Sequence, residues 1–179
     1  MATMLYSATM SLDGFIAGPG GDMSWLTEYL GPNPDADGLV GDIGALLVGN
    51  RTFRGDDPNR GTPKEGAFGG AWSGPQIVLT HDVPAAPVPG VTFVTDLGAA
   101  VEAARAAAGD RYVNVLGADV AAQCLDAGLL DEIFVCVAPV MLGDGVRLFS
   151  RPAGARVRLE RTCVSHVPHA TNIRLRVLR

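Results

Sequence analysis

The strongest constraint on the fold is an alternation that starts at residue 76 and holds to about residue 140. Short apolar, β-branched runs, QIVLT (76–80), VTFV (91–94) and RYVNVL (111–116), take turns with the helical segment DLGAAVEAARAAAG and with a second helix over 118–127. Asp96 is placed to cap the first helix, alanine fills it and Gly109 closes it, while Gly128 stops the second. Strands separated by helices pair in parallel, and the helices cover the sheet. The run ALLVG (45–49) is apolar throughout, the pattern of a strand buried on both faces. The opening strand MLYSATMSL (4–12) instead alternates, with Tyr6, Ala8, Met10 and Leu12 on one side and Ser7, Thr9 and Ser11 on the other.

Beyond residue 140 the pattern changes. RVRLERTCV and ATNIRLRVL alternate polar and apolar residues around SHVPH, which predicts an antiparallel hairpin closing one sheet edge. Residues 35–44 read as a helix, and NRTFRG starts another. The expected architecture is a three-layer α/β/α fold with a mixed, mainly parallel sheet and a C-terminal antiparallel hairpin, as one domain over residues 1–179. Two segments stand outside this regularity. GDDPNRGTPKEGAFGGAWSG (55–74) is too long for a routine connection and reads as a lid, a binding loop or a subunit contact. GPGGD with MSWLTEYL reads as a mobile loop over a pocket or as an ordinary surface turn.

Composition excludes several function classes. Hydrophobic residues make up 47% and charged residues 18%, with mean hydropathy +0.22, which fits a well-buried globular chain. The net charge is −5 with lysine and arginine scattered, so no nucleic-acid partner is expected. An anionic ligand needs a local arrangement of donors. Cys124, Cys136 and Cys163 lie far apart without metal or redox spacing and read as reduced core thiols. His166 and His169 form an H-x-x-H on a hairpin turn, so no metal is expected. The N-terminus lacks a signal-like core and no run reaches a membrane span, so a cytoplasmic, membrane-free protein is expected.

In an open α/β sheet, ligands gather outside the carboxyl ends of the strands. Those ends carry Gly49, Asn50, Arg51 and Thr52 after the second long strand, Thr80 and His81 after the next, and Gly117, Ala118, Asp119 and Val120 at the start of helix 118–127. Backbone donors at helix starts, a hydroxyl and a guanidinium suit a phosphorylated ligand lying across several strand ends. Arg51 equally reads as a surface residue. Gly117 is either strand-to-helix punctuation or the clearance for a phosphate, and Asp13 either an Asp-Gly turn or an active-site acid.

Taken in order, SATMSLDGFIAG, LLVGNRTF, QIVLT, VLGADVAAQCLDAGLLDEI and APVMLGDGVRLF resemble the dihydrofolate reductase-like superfamily. The branch it is most similar to holds the reductase domain of bacterial riboflavin biosynthesis and related small reductases. The resemblance implies an NADPH-dependent reductase, NADH not being excluded, that passes hydride to a C=N or C=O bond of a small pteridine- or pyrimidine-like heterocycle. The alternative is a degenerate reductase fold that binds a nucleotide or metabolite without turnover. The resemblance implies that Gly49 and Thr52 belong to one phosphate turn and Gly117 to a second. Asn50 stands where the family often has arginine, and Ala118 where it has a second glycine. It further implies a catalytic Asp13, a substrate pocket near Thr9, Asp13 and Trp25, the 141–149 turn near its mouth, and a homodimer. Without a deaminase segment, the chain is expected to be at most half of a bifunctional riboflavin enzyme.

Overall fold

The computed structural model describes all residues except 1, 56, 58, 152 and 153. Its centre is an eight-stranded sheet of order β5-β4-β3-β6-β1-β7-β10-β9. The strands are β1 (Met4–Ser11), β3 (Ile43–Gly49), β4 (Gln76–Leu79), β5 (Val91–Val94), β6 (Tyr112–Leu116), β7 (Glu132–Ala138), β9 (Arg158–Val167) and β10 (Ala170–Leu178). The block from β5 through β7 is parallel, and β10 and β9 add an antiparallel hairpin at one edge. A two-stranded ribbon of β2 (Phe15–Ala17) and β8 (Val146–Arg147) completes the strands. The α/β architecture and its terminal hairpin are as the alternation predicts.

Handedness decides which face each helix covers. The chain steps one way from β1 through β3 and β4 to β5, by way of α1 (Pro34–Gly41) and α2 (Asn50–Arg54). It then steps back through β6 to β7, by way of α3 (Leu97–Ala108) and α4 (Ala118–Asp126). Right-handed crossovers place these two sets on opposite faces. The main core accordingly joins Ala100, Val101 and Ala104 of α3 and Val120, Ala121 and Cys124 of α4 to Tyr6, Ala45, Leu47, Val113 and Val115. The Asp96 carboxylate accepts a hydrogen bond from Ala99 N at 2.8 Å and caps α3 as expected, and Gly109 ends it at φ 65°.

The second face is covered unevenly. Leu39 of α1 packs over Leu5, Phe134, Cys136 and Ala170. Over Ile43, Leu46, Val48 and Val78 the described residues supply no further helix; Phe53 of α2 and Ala67, Phe68 and Trp72 of the long loop take that place. The Trp72 indole N–H donates to Ile43 O at 3.1 Å. The segment read as a lid, binding loop or subunit contact therefore supplies part of the third layer. Phe68 takes a φ of 55°, alone among the described non-glycine residues.

Three expectations are corrected. The helix expected over 35–44 ends at Gly41, and Ile43 and Gly44 join β3. A side chain at Gly44 would come within 2.5 Å of Ala108 O, so the strand accepts the end of α3 only there. Leu12 does not continue the apolar row of β1: the strand ends at Ser11, and Leu12 is 67% exposed in the following turn. Cys124 and Cys136 are buried, and burial pushes both thiols up to about 11. Cys163 is instead exposed, because β9 is the edge strand and its residues lie almost wholly in solvent.

Candidate functional site

Register opens a crevice at the carboxyl edge. β6 pairs with β1 only as far as Val115 opposite Tyr6, while β1 continues along β7 to Ser11 opposite Ala138. From Ser7 onward β1 therefore has a strand partner on one side only. β3 leaves the sheet toward one face through α2, and β6 leaves toward the other through α4. Adjacent strands whose connections diverge form the crevice in which open α/β sheets bind ligands.

The two glycine turns meet there. Gly117 has φ 109° and ψ 133°, and a Cβ on it would lie 2.6 Å from the Thr52 hydroxyl and 3.7 Å from Gly49 N. Gly49 in turn faces Val120, with 3.6 Å between a Cβ there and Val120 Cγ1. Neither α2 nor α4 carries a side-chain cap. Among the described residues no side chain takes up the first N–H groups of either helix. Ala118 is helical with ordinary φ, so the backbone at the position that resembles a second glycine is unstrained. Asn50 Oδ1 is buried in this turn without a partner among the described residues.

Charge around the turns is balanced. Arg51 pairs with Asp119 from the first turn of α4. Arg54 donates to Asp82 Oδ2 at 2.8 Å and to Asp82 O at 3.1 Å, tying α2 to the end of β4. The Thr80 hydroxyl is buried and occupied: it accepts from Asp82 N at 3.0 Å and donates to Asp82 O at 3.2 Å, which leaves His81 exposed on a tight turn. No motif marks Arg54 or Asp82; a basic residue in the last turn of α2 is the available signal.

Asp13 holds a strap across the end of β1. Its carboxylate accepts from the Ser11 hydroxyl at 2.6 Å, from Gly143 N at 2.7 Å and from Leu142 N at 3.1 Å. The Ser11 hydroxyl foremost, and then the two amides, hold its pKa down to about 2. Ser11 is fully buried and also accepts from Phe15 N at 3.0 Å. The strapped loop continues into β8, where Gly145, at φ 135°, lets the chain run against Ala17 O. Leu12 and Met141 stand exposed on the two sides of the strap.

Thr9 belongs to a polar row that crosses four strands on the second face: Thr9 opposite Cys136, Cys136 opposite Asn172, Asn172 opposite Ser165. The Thr9 side chain hydrogen-bonds Cys136. Asn33, the N-cap of α1, exchanges amide hydrogen bonds with Asn172 at 2.9 and 2.8 Å. Trp25 lies on a 3-10 turn over Ser24–Tyr29, its ring tilted against Tyr29, and its buried indole N–H has no partner among the described residues. Asn114, on β6 between Leu5 and Leu46, is fully buried with both amide atoms unpartnered among those residues. No described group of three histidine, cysteine, aspartate or glutamate side chains could hold a metal ion. No helix among the described residues is long and apolar enough to cross a membrane.

Several solved structures share this fold. A Shewanella sp. PV-4 protein described in terms of riboflavin biosynthesis superposes with a TM-score of 0.77 at 23% identity, covering 100% of both chains. The Thermotoga maritima diaminohydroxyphosphoribosylaminopyrimidine deaminase/5-amino-6-(5-phosphoribosylamino)uracil reductase gives 0.70 at 19% identity, with 99% of this chain spanning 57% of that one. The riboflavin biosynthesis reductase of Saccharomyces cerevisiae gives 0.60 at 17% identity, over 99% of this chain and 89% of that one. No curated protein sequence matches significantly. At these identities the superpositions establish the fold, a dihydrofolate reductase-like one; ancestry comes from the sequence itself, since the RibD C-terminal domain model matches residues 2–172, and the chain belongs to that family.

Proposed function

We propose that the chain is a reductase that draws hydride from a nicotinamide dinucleotide, NADPH first and NADH as an alternative, and reduces a C=N or C=O bond of a small pyrimidine- or pteridine-like heterocycle. The observation that carries this reading is the meeting of two uncapped helix starts at Gly49 and Gly117, beside the free flank of β1. A diphosphate carries the charge and acceptors that such N–H groups lack. The residues present fit it. Gly117 leaves the approach clear of a side chain, and Ala118 opens α4 without strain.

In this reading Gly49 to Thr52 and Gly117 to Val120 hold the diphosphate by backbone donors, with Arg51 adding charge. The Thr80–His81 turn flanks them. When bound, the dinucleotide supplies the hydride. The backbone of Ser7 to Ser11 offers donors and acceptors to a planar ring, and Thr9 lies on the same stretch. Trp25, in the same reading, stands over the pocket. Asp13 is an acceptor-only carboxylate at neutral pH and acts as a positioning residue, fixing Leu142 and Gly143 at the mouth; the proton that completes the reduction comes from solvent.

Nicotinamide fluorescence titration, followed by NADPH oxidation in the presence of pyrimidinones and pterins, tests the proposal. Binding with turnover of one such heterocycle supports it, and absence of binding at millimolar NADPH and NADH sinks it. A second reading, a reductase fold that binds a nucleotide without turnover, is favoured by the pairing of both nearby arginines with acids. Binding without oxidation across the panel would select it.

A further inference from the structure

Arg51 and Asp119 come from separate helices far apart in the chain, and both side chains are mostly exposed, at 79% and 65%. An exposed ion pair adds little to stability, because water solvates each partner almost as well apart. Its placement is more informative. Each partner sits in the first turn of a helix without a side-chain cap, and those two turns are the ones that touch through Gly117 and Thr52. A carboxylate there complements the positive end of α4 by its charge, without capping its first N–H groups. Its charge also acts inward: burial first, and Asp119 second, raise the pKa of the buried Tyr6 phenol above its ordinary range.

Resting on the reductase reading above, we infer that Asp119 is an internal stand-in for the cofactor's diphosphate, holding Arg51 in the free protein until the diphosphate takes its place. The pair lowers affinity for every diphosphate carrier, so it acts on NADPH and NADH alike, and Arg51 is worth less to a ligand while Asp119 competes for it.

The test is calorimetric titration of NADPH, NADH and inorganic pyrophosphate into the wild type, Asp119→Asn, Arg51→Gln and the double variant, with melting curves to show that each is folded. Asp119→Asn is expected to tighten all three ligands by about two- to fivefold, the range that exposed pairs and helix-end charges reach. Arg51→Gln is expected to weaken binding more in the Asp119→Asn background than in the wild type, the non-additivity of a competing pair. Unchanged or weaker binding by Asp119→Asn overturns the inference while leaving the reductase reading intact if the wild type binds NADPH. A gain confined to NADPH also overturns it, because the competing anion would then be the phosphate that NADH lacks. If pyrophosphate gains and neither dinucleotide binds any variant, the pair competes with a diphosphate that no cofactor supplies, and the stand-in falls with the reductase reading. If no variant binds any of the three, both fall.

Discussion

Replacing Gly117 by alanine separates a glycine that shapes a binding crevice from one that merely ends a helix. At φ 109° and ψ 133° the position lies outside the wells that an L-residue occupies comfortably, and holding a side chain there costs about 1–3 kcal/mol. The new methyl would also stand 2.6 Å from the Thr52 hydroxyl. Turning that hydroxyl aside adds about 0.5–1.5 kcal/mol. The sum, about 1.5–4.5 kcal/mol, corresponds to a fall in Tm of about 3–18 °C for a chain of this size. Gly128 is the control: it too has positive φ, 68°, but nothing lies within 4 Å of a Cβ there. Gly128→Ala is expected to cost about 1 kcal/mol and a few degrees. Thermal unfolding followed by circular dichroism reads the difference, and NADPH titration reads its consequence, a loss of at least about tenfold for Gly117→Ala from a displaced phosphate turn and none for Gly128→Ala. Adding Thr52→Ala to Gly117→Ala removes the hydroxyl and recovers part of the lost Tm. Equal melting and equal binding of the two glycine variants, or no recovery in the double variant, would refute the reasoning.

Three further outcomes follow from the same contacts. Asp13 has its pKa lowered from 3.8 to about 2, so the strap it holds is fully present above pH 3.8 and is lost as pH falls through about 2. Hydrogen exchange of the Leu142 and Gly143 amides should show that loss only in this acid window, and Asp13→Ala should show it at neutral pH; protection that fades near pH 6 contradicts the assignment. Trp72→Phe removes the donor to Ile43 O and should lower stability by about 1 kcal/mol in urea unfolding, without changing NADPH affinity. A lost affinity would put the long loop at the site rather than over the second face. Asn114→Val replaces an amide with no partner by an apolar side chain and should raise stability by about 1–3 kcal/mol; a fall in Tm would mean that the amide is satisfied by bound water.

Much of the fold is legible wherever one residue type repeats at one period. The unbroken apolar run 45–49 announces a doubly buried strand, and Asp96, the alanines and Gly109 announce α3, because these signals are local. Gly41 and Gly44 are less readable, since only the approach of Ala108 explains why the strand begins so early. The cover over Ile43, Leu46 and Val48 has no period at all: Phe68 and Trp72 reach it through an irregular loop, and nothing in their spacing announces a layer. At the site, the glycines are visible because each sits at a strand-to-helix turn. Their convergence, and the pairings of Arg51 with Asp119, Arg54 with Asp82 and Asn33 with Asn172, depend on sheet order and lie beyond any motif. Asp13 shows the limit most clearly. The same Asp-Gly letters fit an active-site acid and a turn, and the three donors around the carboxylate come from the fold and from no local pattern.

The central claim is that the crevice between β3 and β6 grips a dinucleotide by its diphosphate. A crystal structure grown or soaked with NADP+ tests it most directly. The account predicts the diphosphate on the N–H groups that follow Gly49 and Gly117, with Arg51 released from Asp119. A dinucleotide bound elsewhere, or a crevice left empty at millimolar ligand in crystals that leave it accessible, would contradict it.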